Sequence, residues 1–207
     1  MITAYTANTP NGVKVPIALE ALGLSRGVDY TLKILDLKAR EQKETDYLAI
    51  NPNGRIPAIV DHTPDGDIRV FESGAVLLYL AEKFGGLLPT DPAARIEAIA
   101  WTYFQTGGIG PNMGQAGYAK RQSDDSFERF NKESHRLVSV MEGALAKADF
   151  LAGDYSIADI MNFGWLDRAP NYFGFDLSPY PNVQGWLTRI RARPAVKAGL
   201  AAFDESN

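Results

Sequence analysis

Residues 51–84 read NPNGRIPAIVDHTPDGDIRVFESGAVLLYLAEKF, and this stretch decides the fold of the first part of the chain. The Asn-Pro-Asn-Gly start is typical of a turn, and Ile56 to Asp61 then predicts a buried strand. The segment from His62 to Gly66 contains Pro and Asp-Gly and predicts a second turn, so Ile68 to Phe71 pairs back as the other strand of a hairpin. Ser73 to Phe84 predicts a helix. The stretch therefore forms a hairpin that leads directly into a helix.

Upstream of this stretch, strand and helix signals alternate. Strands are predicted over Ile2 to Tyr5 and Asp29 to Leu35, and helices over Val15 to Leu22 and Gln42 to Ile50. The complete order is β-α-β-α-β-β-α, which needs one right-handed parallel crossover followed by an antiparallel hairpin. This is a thioredoxin-like arrangement, and we assign it to residues 1–84.

Downstream, the strand signal stops. Residues 85–93 read GGLLPTDPA, and their Gly and Pro content is typical of a linker. Residues 94–207 predict an all-helical bundle domain that contains a long amphipathic helix over Phe127 to Lys147. We expect its apolar face to carry Phe130, Leu137, Val140, Met141 and Leu145, and a later helix to bury Val183, Trp186, Leu187 and Ile190. The fold class is therefore α/β plus all-α.

The segment Ser156-Ile157-Ala158-Asp159 is typical of a helix start. The Ser156 hydroxyl can bond to the amide of Asp159, while the Asp159 carboxylate can reach back to the amide of Ser156. Tyr155 and Ile160 are placed for a hydrophobic contact across this cap. We interpret the segment as a folding device rather than a functional site.

The composition argues against several classes of function. A formal net charge of −4 and a pI near 5.2 argue against general affinity for nucleic acid or for an anionic membrane. No run of about 18 apolar residues predicts a transmembrane helix, and the first residues lack the features of a signal peptide, so we expect a cytoplasmic protein. The chain has no cysteine and only two histidines, so we expect no disulfide, protein thiol nucleophile or metal site. A ligand must bring any sulfur that reacts here.

The Ile56-Pro57 pair is the first candidate for a binding feature. A proline that enters a buried strand removes a hydrogen-bond donor, so it belongs at a sheet edge or in a cis bend. If the bond is cis, the amide and carbonyl of Ile56 face outward and can pair with an extended peptide. An ordinary edge-strand proline is the alternative interpretation.

The Glu72-Ser73 pair is the second candidate, at the point where a strand ends and a helix begins. The free amides of a helix N-terminus favour a carboxylate, and the Ser73 hydroxyl adds another donor. Glu72 supplies a negative charge that suits an ammonium group. The pair matches the head group of an α-amino acid, although an ordinary Ser cap with an acidic neighbour would look the same.

Both features together suggest a ligand with an amino-acid head and an extended amide backbone. The motifs NPNGRIPA at residues 51–58 and FESG at residues 71–74, with the predicted cap at Ser156, resemble those of the glutathione transferases. TPNGVKV at residues 9–15 and QTGGIGP at residues 105–111 resemble the Nu-class enzymes. These are bacterial disulfide-bond oxidoreductases related to the yeast prion-forming nitrogen regulator. The resemblance spans nearly the whole chain.

The resemblance implies a glutathione transferase fold and a site for glutathione or oxidised glutathione, without a metal. It puts the γ-glutamyl head on Glu72 and Ser73, and the cysteinyl backbone on Ile56. It puts Arg129 at glutathione in its own subunit or in the partner of a homodimer. The implied glutathione-binding residues are Asn11, Gln42, Ile56, Pro57, Glu72, Ser73 and Arg129.

The resemblance also matches Thr9 and Asn11 to the polar pair beside the glutathione sulfur, and these are the candidate catalytic residues. A free thiol has a pKa of about 8.5, so hydroxyl and amide donors at a helix start would favour the thiolate electrostatically. Tyr5 comes too early in its strand for this role. Lys14 and Arg55 either add positive charge at the mouth of the site or are solvated surface residues.

The glycine-rich segment at residues 107–110 superficially suggests a phosphate-binding loop. That interpretation is poor, because the segment follows a helix and Pro111 lacks a donor. A kink beside the pocket for the second substrate fits better.

The leading hypothesis for function is a glutathione-dependent disulfide oxidoreductase, in which thiol–disulfide exchange runs between bound glutathione and a small disulfide. One alternative is conjugation of glutathione to an electrophile, which uses the same thiolate. A second alternative is a non-enzymatic glutathione-binding regulator.

Overall fold

The computed structural model describes residues 1–204. They form two compact units. Met1–Leu88 and the segment that starts at Arg193 make up the first unit, and Pro89–Ala192 make up the second. Within the described range, no helix has the length and apolarity needed to cross a membrane.

The first unit contains one four-stranded mixed sheet. Its strands are β1 (Ile2–Thr6), β2 (Tyr30–Ile34), β3 (Ala58–Thr63) and β4 (Gly66–Phe71), and they lie in the order β2-β1-β3-β4. β1 pairs parallel with β2 and antiparallel with β3, and β3 pairs antiparallel with β4. One parallel crossover and one hairpin are therefore present, which confirms the thioredoxin-like arrangement.

The described residues also form ten α-helices and two other helical segments. The α-helices are α1 (Lys14–Ala21), α2 (Thr45–Leu48), α3 (Ser73–Phe84), α4 (Pro92–Phe104), α5 (Gly110–Gln122), α6 (Phe127–Leu145), α7 (Ile157–Leu166), α8 (Ala169–Phe173), α9 (Pro181–Ala192) and α10 (Pro194–Ala201). A 3₁₀ turn spans Glu41–Lys43, and a π-helical segment spans Gln105–Ile109. The second unit is entirely helical apart from isolated bridges, which confirms the predicted α/β plus all-α class.

Three details of the first unit differ from the sequence prediction. The helix expected over Gln42 to Ile50 is instead a 3₁₀ turn at Glu41–Lys43 and the short helix α2 at Thr45–Leu48, with Glu44 extended between them. The strand expected from Ile56 begins at Ala58, so Pro57 lies just before the ladder and removes no donor from it. The hairpin turn is also tighter than predicted, because Thr63 pairs with Gly66 and the strands extend to either side of a two-residue loop.

The last helix, α10, belongs to the first unit and packs on α1. At Gly199 a Cβ would lie 2.6 Å from the backbone nitrogen of Ile17, so the two helix backbones touch. Helical periodicity cannot reveal this grouping, because a helix shows the same pattern whichever unit it covers.

In the second unit, the predicted face of α6 is partly wrong. Leu137, Met141 and Leu145 are buried, but Val138 completes the buried arc and Val140 is 42% exposed. Successive helical residues turn by about 100°, which places Val140 roughly 60° beyond Leu137 on the side away from the arc. The predicted buried stripe of α9 is confirmed at Val183, Trp186, Leu187 and Ile190.

The predicted cap at the start of α7 is confirmed. Ser156 is the N-cap, and its amide donates to Asp159 Oδ2 over 3.0 Å. Asp159 Oδ1 also accepts from the amide of Leu151 and from Trp186 Nε1, at 3.0 and 2.8 Å. Burial outweighs these bonds and raises the pKa of Asp159 to about 6. The cap therefore ties α9 to the start of α7 through one buried carboxyl group.

The glycine-rich segment after α4 serves close packing. A Cβ at Gly110 would lie 2.5 Å from Gln105 Nε2 and 3.3 Å from Trp165 Nε1, and a Cβ at Gly114 would lie 3.3 Å from Trp165. Gly107, by contrast, has no atom within 4 Å of the position of a Cβ. The sequence predicted a kink here. The π-helical segment leads directly into α5 without a break in the helical backbone, and Pro111, which lacks an amide donor, lies at that junction. The kink itself stays a prediction.

Candidate functional site

The loop between β1 and α1 is held in a compact form by short-range hydrogen bonds. Thr6 Oγ1 donates to the carbonyl of Gly12 over 2.8 Å, and the amide of Thr9 donates to the carbonyl of Ala7 over 2.8 Å. The amide of Gly12 donates to Thr9 Oγ1 over 3.0 Å. Because the Thr9 oxygen acts as an acceptor in that bond, its own hydrogen points elsewhere, as a donor.

Lys14 is the first residue of α1, and its side chain is fully buried. Its Nζ donates to Asn11 Oδ1 over 2.8 Å and to Ser73 Oγ over 3.3 Å. The sequence allowed Lys14 a place at the mouth of the site or on the solvated surface, and both expectations are wrong. The loop, α1 and the start of α3 enclose the ammonium group instead.

The charge of Lys14 is strongly affected by this environment. Burial lowers the pKa of the Lys14 ammonium well below its usual value, and the carboxylate of Glu72 partly opposes that shift. Lys14 Nζ is the donor in its bond to Asn11, so the Asn11 atom that bonds to it is the amide oxygen. The Asn11 NH₂ group therefore occupies the opposite side of that side chain.

The start of α3 is built around Glu72 and Ser73. Glu72 precedes the helix with a φ of 69°, an unusual backbone conformation for a residue other than glycine, and its carbonyl accepts from the amide of Val76 over 2.9 Å. Ser73 is the first helical residue and is buried, with its hydroxyl oxygen used by Lys14. Ser73 is therefore not the ordinary helix cap that one interpretation of the sequence allowed. The Glu72 carboxylate lies on an exposed residue directly beside it.

The turn at residues 51–55 is pinned by two buried side chains that the sequence analysis did not single out. Tyr47 Oη and Asn51 Nδ2 both donate to the carbonyl of Arg55, each over 2.6 Å. Asn51 Oδ1 accepts from the amide of Asn53 over 3.0 Å. Burial raises the pKa of Tyr47 to about 12, so this hydroxyl keeps its proton as a donor. The sequence signal that could have indicated this arrangement is Asn51, the first residue of the Asn-Pro-Asn-Gly motif.

Directly after this turn, the Ile56–Pro57 peptide bond is cis, as one interpretation of the sequence proposed. Outside helices and strands, no backbone hydrogen bond among residues 1–204 uses the amide or carbonyl of Ile56. Gln42 lies in the 3₁₀ turn before α2, and its Oε1 is buried without a hydrogen-bond partner in the described part of the chain.

Arg129 lies in the second unit, on α6, with its guanidinium 5.8 Å from the ring centre of Phe130. It lines an open cavity of about 690 Å³. The other lining residues are Asn112, Phe130, Lys132, Glu133 and Arg136. The cavity carries more basic than acidic side chains, which suits an anionic ligand.

In the first unit, the structure thus brings Asn11 and Ser73 together at Lys14, and Thr9 lies in the same loop as Asn11. Tyr5 is half-buried, and its ring centre lies 5.6 Å from that of Tyr47. Arg55 is exposed. Among residues 1–204, no group of three His, Asp or Glu side chains is arranged to hold a metal ion.

A mixed four-stranded sheet with a polar β1–α1 loop and a cis-proline before β3, followed by a helical unit, defines the class of this protein. The family model for the glutathione S-transferase N-terminal domain matches residues 2–82, and the model for the C-terminal domain matches residues 103–194. The chain belongs to the glutathione S-transferase family.

Particular relatives narrow the comparison. The chain is 41% identical to the disulfide-bond oxidoreductase YfcG of Escherichia coli K12, over 97% of this chain and 94% of that protein. It is 39% identical to a glutathione transferase family member from Pseudomonas fluorescens Pf-5 solved with two glutathione bound, with a TM-score of 0.90 over 96% of this chain and 92% of that one. A glutathione transferase from Pseudomonas putida, solved with one glutathione disulfide per subunit, is 38% identical, with a TM-score of 0.89 over 96% and 90% of the two chains.

Proposed function

We propose that this protein is a glutathione-dependent disulfide-bond oxidoreductase in which bound glutathione supplies the attacking thiolate. The observation that carries the proposal is the combination of a cysteine-free chain with a preorganised donor loop. Thr9 and Asn11 are held by fixed bonds, yet the 207 residues contain no thiol for them to activate. The resemblance to YfcG, itself named a disulfide-bond oxidoreductase, supports the same reaction.

The binding part of the proposal assigns each group of glutathione a partner. The γ-glutamyl carboxylate lies at the start of α3 with Ser73, where the helix amides favour an anion, and the ammonium lies at Glu72. The amide and carbonyl of Ile56 pair with the cysteinyl backbone. The buried, unpartnered Oε1 of Gln42 supports its assignment as an acceptor for the ligand. Arg129 adds positive charge for a carboxylate, and Pro57 completes the wall beside Ile56.

The reaction balances without a metal or a protein thiol. One bound glutathione thiolate attacks a sulfur of the substrate disulfide, which forms a mixed disulfide and releases a substrate thiolate. That thiolate takes up the proton that the first glutathione lost. The thiolate of a second glutathione attacks the mixed disulfide and gives glutathione disulfide and a second substrate thiol. The two glutathiones thus supply the two electrons, and the protein supplies position and thiolate stabilisation.

The test is the glutathione-dependent reduction of 2-hydroxyethyl disulfide, followed as glutathione disulfide formed. The Thr9→Val variant removes both the hydroxyl donor and the acceptor of the Gly12 amide, and it is expected to lose about 100-fold in kcat/KM. Thr9→Ser keeps the hydroxyl and should retain most activity. Thr188→Val, which removes an exposed hydroxyl on α9, should behave like the wild type. Absence of turnover in the wild-type protein, or equal rates for all four proteins, would refute the proposal.

Conjugation of glutathione to an electrophile is the second candidate. It uses the same thiolate, and both solved relatives described above are named glutathione transferases. Rates with a chloronitrobenzene and with 2-hydroxyethyl disulfide separate the two activities, because only the first forms a thioether. Retention on glutathione resin without turnover of either substrate would instead support a non-enzymatic binding protein.

We also propose that the protein is a homodimer in the cytoplasm, where the glutathione pool is reducing. Two apolar side chains on α4 are exposed, Ile96 by 63% and Tyr103 by 70%, and we propose that they lie in the subunit interface. Sedimentation of the wild type and of Tyr103→Glu tests this, since the charge should weaken association. From the sequence we propose residues 1–84 as the glutathione-binding domain, 85–93 as a linker and 94–207 as the helical domain. The structure differs in two places, since α4 begins at Pro92 and α10 groups with the first unit. Limited proteolysis tests these limits.

A further inference from the structure

We propose that Lys14 is the positioning residue of the site, and that its single buried ammonium orients Asn11 at the thiol end and Ser73 at the carboxylate end as donors toward glutathione. The inference rests on the proposed function, because it names glutathione as the ligand. It goes further by giving one residue control over both ends of the site.

The geometry around Lys14 is the basis of this inference. The Nζ atom donates to Asn11 Oδ1 at 2.8 Å and to Ser73 Oγ at 3.3 Å. One ammonium group therefore connects two residues that are 62 positions apart in the sequence. Each bond occupies an acceptor. Each side chain also carries a donor, the NH₂ group of Asn11 or the O–H of Ser73, and that donor is directed away from the ammonium. A thiolate and a carboxylate both require donors.

A packing role does not explain a lysine at this position. The side chain is fully buried, and Val13, Val15 and Ile17, which lie beside it in the chain, are also inaccessible to solvent. Burying an ammonium destabilises the fold relative to an apolar side chain of similar volume, and the depressed pKa of Lys14 reflects that penalty. Methionine would fill the same space without it. The charged group is therefore retained for what it does to its neighbours.

The charge also acts on the ligand. A cation enclosed by the loop and by the start of α3 favours negative charge at both places, and its effect is larger in a water-excluded environment than in solution. Glu72 is the charged side chain that acts on Lys14 itself, and it favours the charged form. The ammonium should therefore lower the pKa of a bound thiol and strengthen binding of the γ-glutamyl carboxylate.

The test compares Lys14→Met with Lys38→Met, a control at an exposed lysine. The pKa of the bound glutathione thiol is measured from its ultraviolet thiolate absorbance, and affinity for S-methylglutathione, which lacks a thiol, reports the carboxylate end alone. Lys14→Met is expected to raise the thiol pKa by about one and to weaken S-methylglutathione binding about tenfold, because one charge-assisted contact is lost at each end. Lys38→Met should change neither.

Rescue distinguishes the ammonium from the rest of the side chain. Because the natural chain has no cysteine, Lys14→Cys carries the only thiol and can be alkylated while unfolded, then refolded. An aminoethyl group restores the ammonium and should restore both values, whereas a propyl group should not.

Each outcome decides the question. If Lys14→Met folds and both values equal those of the wild type, the positioning role is refuted while the proposed function stands. If only the ammonium-bearing forms fold, Lys14 is a structural residue and the positioning role is also refuted. If the wild type binds neither glutathione nor S-methylglutathione, both the proposed function and the positioning role are refuted.

Discussion

Gly12 offers a direct test of whether the β1–α1 loop sets the chemistry. In Gly12→Ala, the new Cβ would lie 1.9 Å from the carbonyl oxygen of Ala7 and 2.6 Å from Thr6 Oγ1. A carbon and an oxygen need about 3.3 Å, so the loop backbone must move by about 1.4 Å. The closest obstacle is backbone rather than the flexible end of a side chain, so the loop itself must shift.

The expected effect follows from that displacement. A misplacement of about 1 Å near a reacting group can lower the rate about 100-fold, so kcat/KM for 2-hydroxyethyl disulfide should fall by about that factor. Overpacking should also lower the free energy of unfolding by about 1–3 kcal/mol. Steady-state kinetics and urea unfolding of the same preparation measure both effects.

The matched control is Gly107→Ala. Gly107 lies in the π-helical segment, and a Cβ there would have no atom within 4 Å. Alanine should therefore leave the kinetics unchanged and raise stability by up to about 1 kcal/mol, because it restricts the unfolded chain. Wild-type kinetics in Gly12→Ala would show that the loop does not position Thr9 and Asn11. A drop in stability with unchanged rates would refute the same reasoning.

Three further changes have defined outcomes. Asp159→Asn should lower the free energy of unfolding by about 1–3 kcal/mol, because one buried N–H loses its acceptor. Burial raises the pKa of Asp159 to about 6, so ionisation of this carboxyl group disfavours the folded state. The wild type should therefore lose stability as the pH rises through about 6. Urea unfolding at several pH values should show this loss in the wild type and not in the Asn variant. Gly199→Ala should lower Tm, because a Cβ would lie 2.6 Å from the backbone of α1, and an unchanged Tm would contradict that contact. Val138→Lys should destabilise α6 and lower the helix content that circular dichroism measures. Val140→Lys, at a site that is 42% exposed, should leave the helix content unchanged.

Much of the candidate site was predictable because its signals are local in the chain. The cis bond at Ile56-Pro57 follows a turn motif that lies next to it, and the helix start at Ser73 follows a strand that ends at Phe71. The cap at Ser156 likewise depends on residues three apart. In each case the interacting groups are separated by a few residues, so their spacing alone indicates the geometry. The roles of these residues toward glutathione stay predictions.

Lys14 shows where local reasoning fails. Charge and an N-terminal helix position favoured a solvated or mouth-lining lysine, yet the side chain is buried between the loop and a helix that starts 59 residues later. The surrounding sequence held a hint, since Val13, Val15, Pro16 and Ile17 leave no polar face at that end of α1. Hydropathy cannot assign the partner, because a hydrogen bond to Ser73 exists only once the sheet brings α1 and α3 together.

The sequence by itself determined the element order, the thioredoxin-like topology, the helical second half and the absence of a protein thiol. These follow from local periodicity, turn chemistry and composition. Only the tertiary structure decided that Lys14 is buried and bonded to both Asn11 and Ser73, that Val138 rather than Val140 faces the core, and that α10 packs on α1. Those facts depend on which surfaces meet in space. A pattern along the sequence shows that a helix has a buried face, but not which element that face packs against.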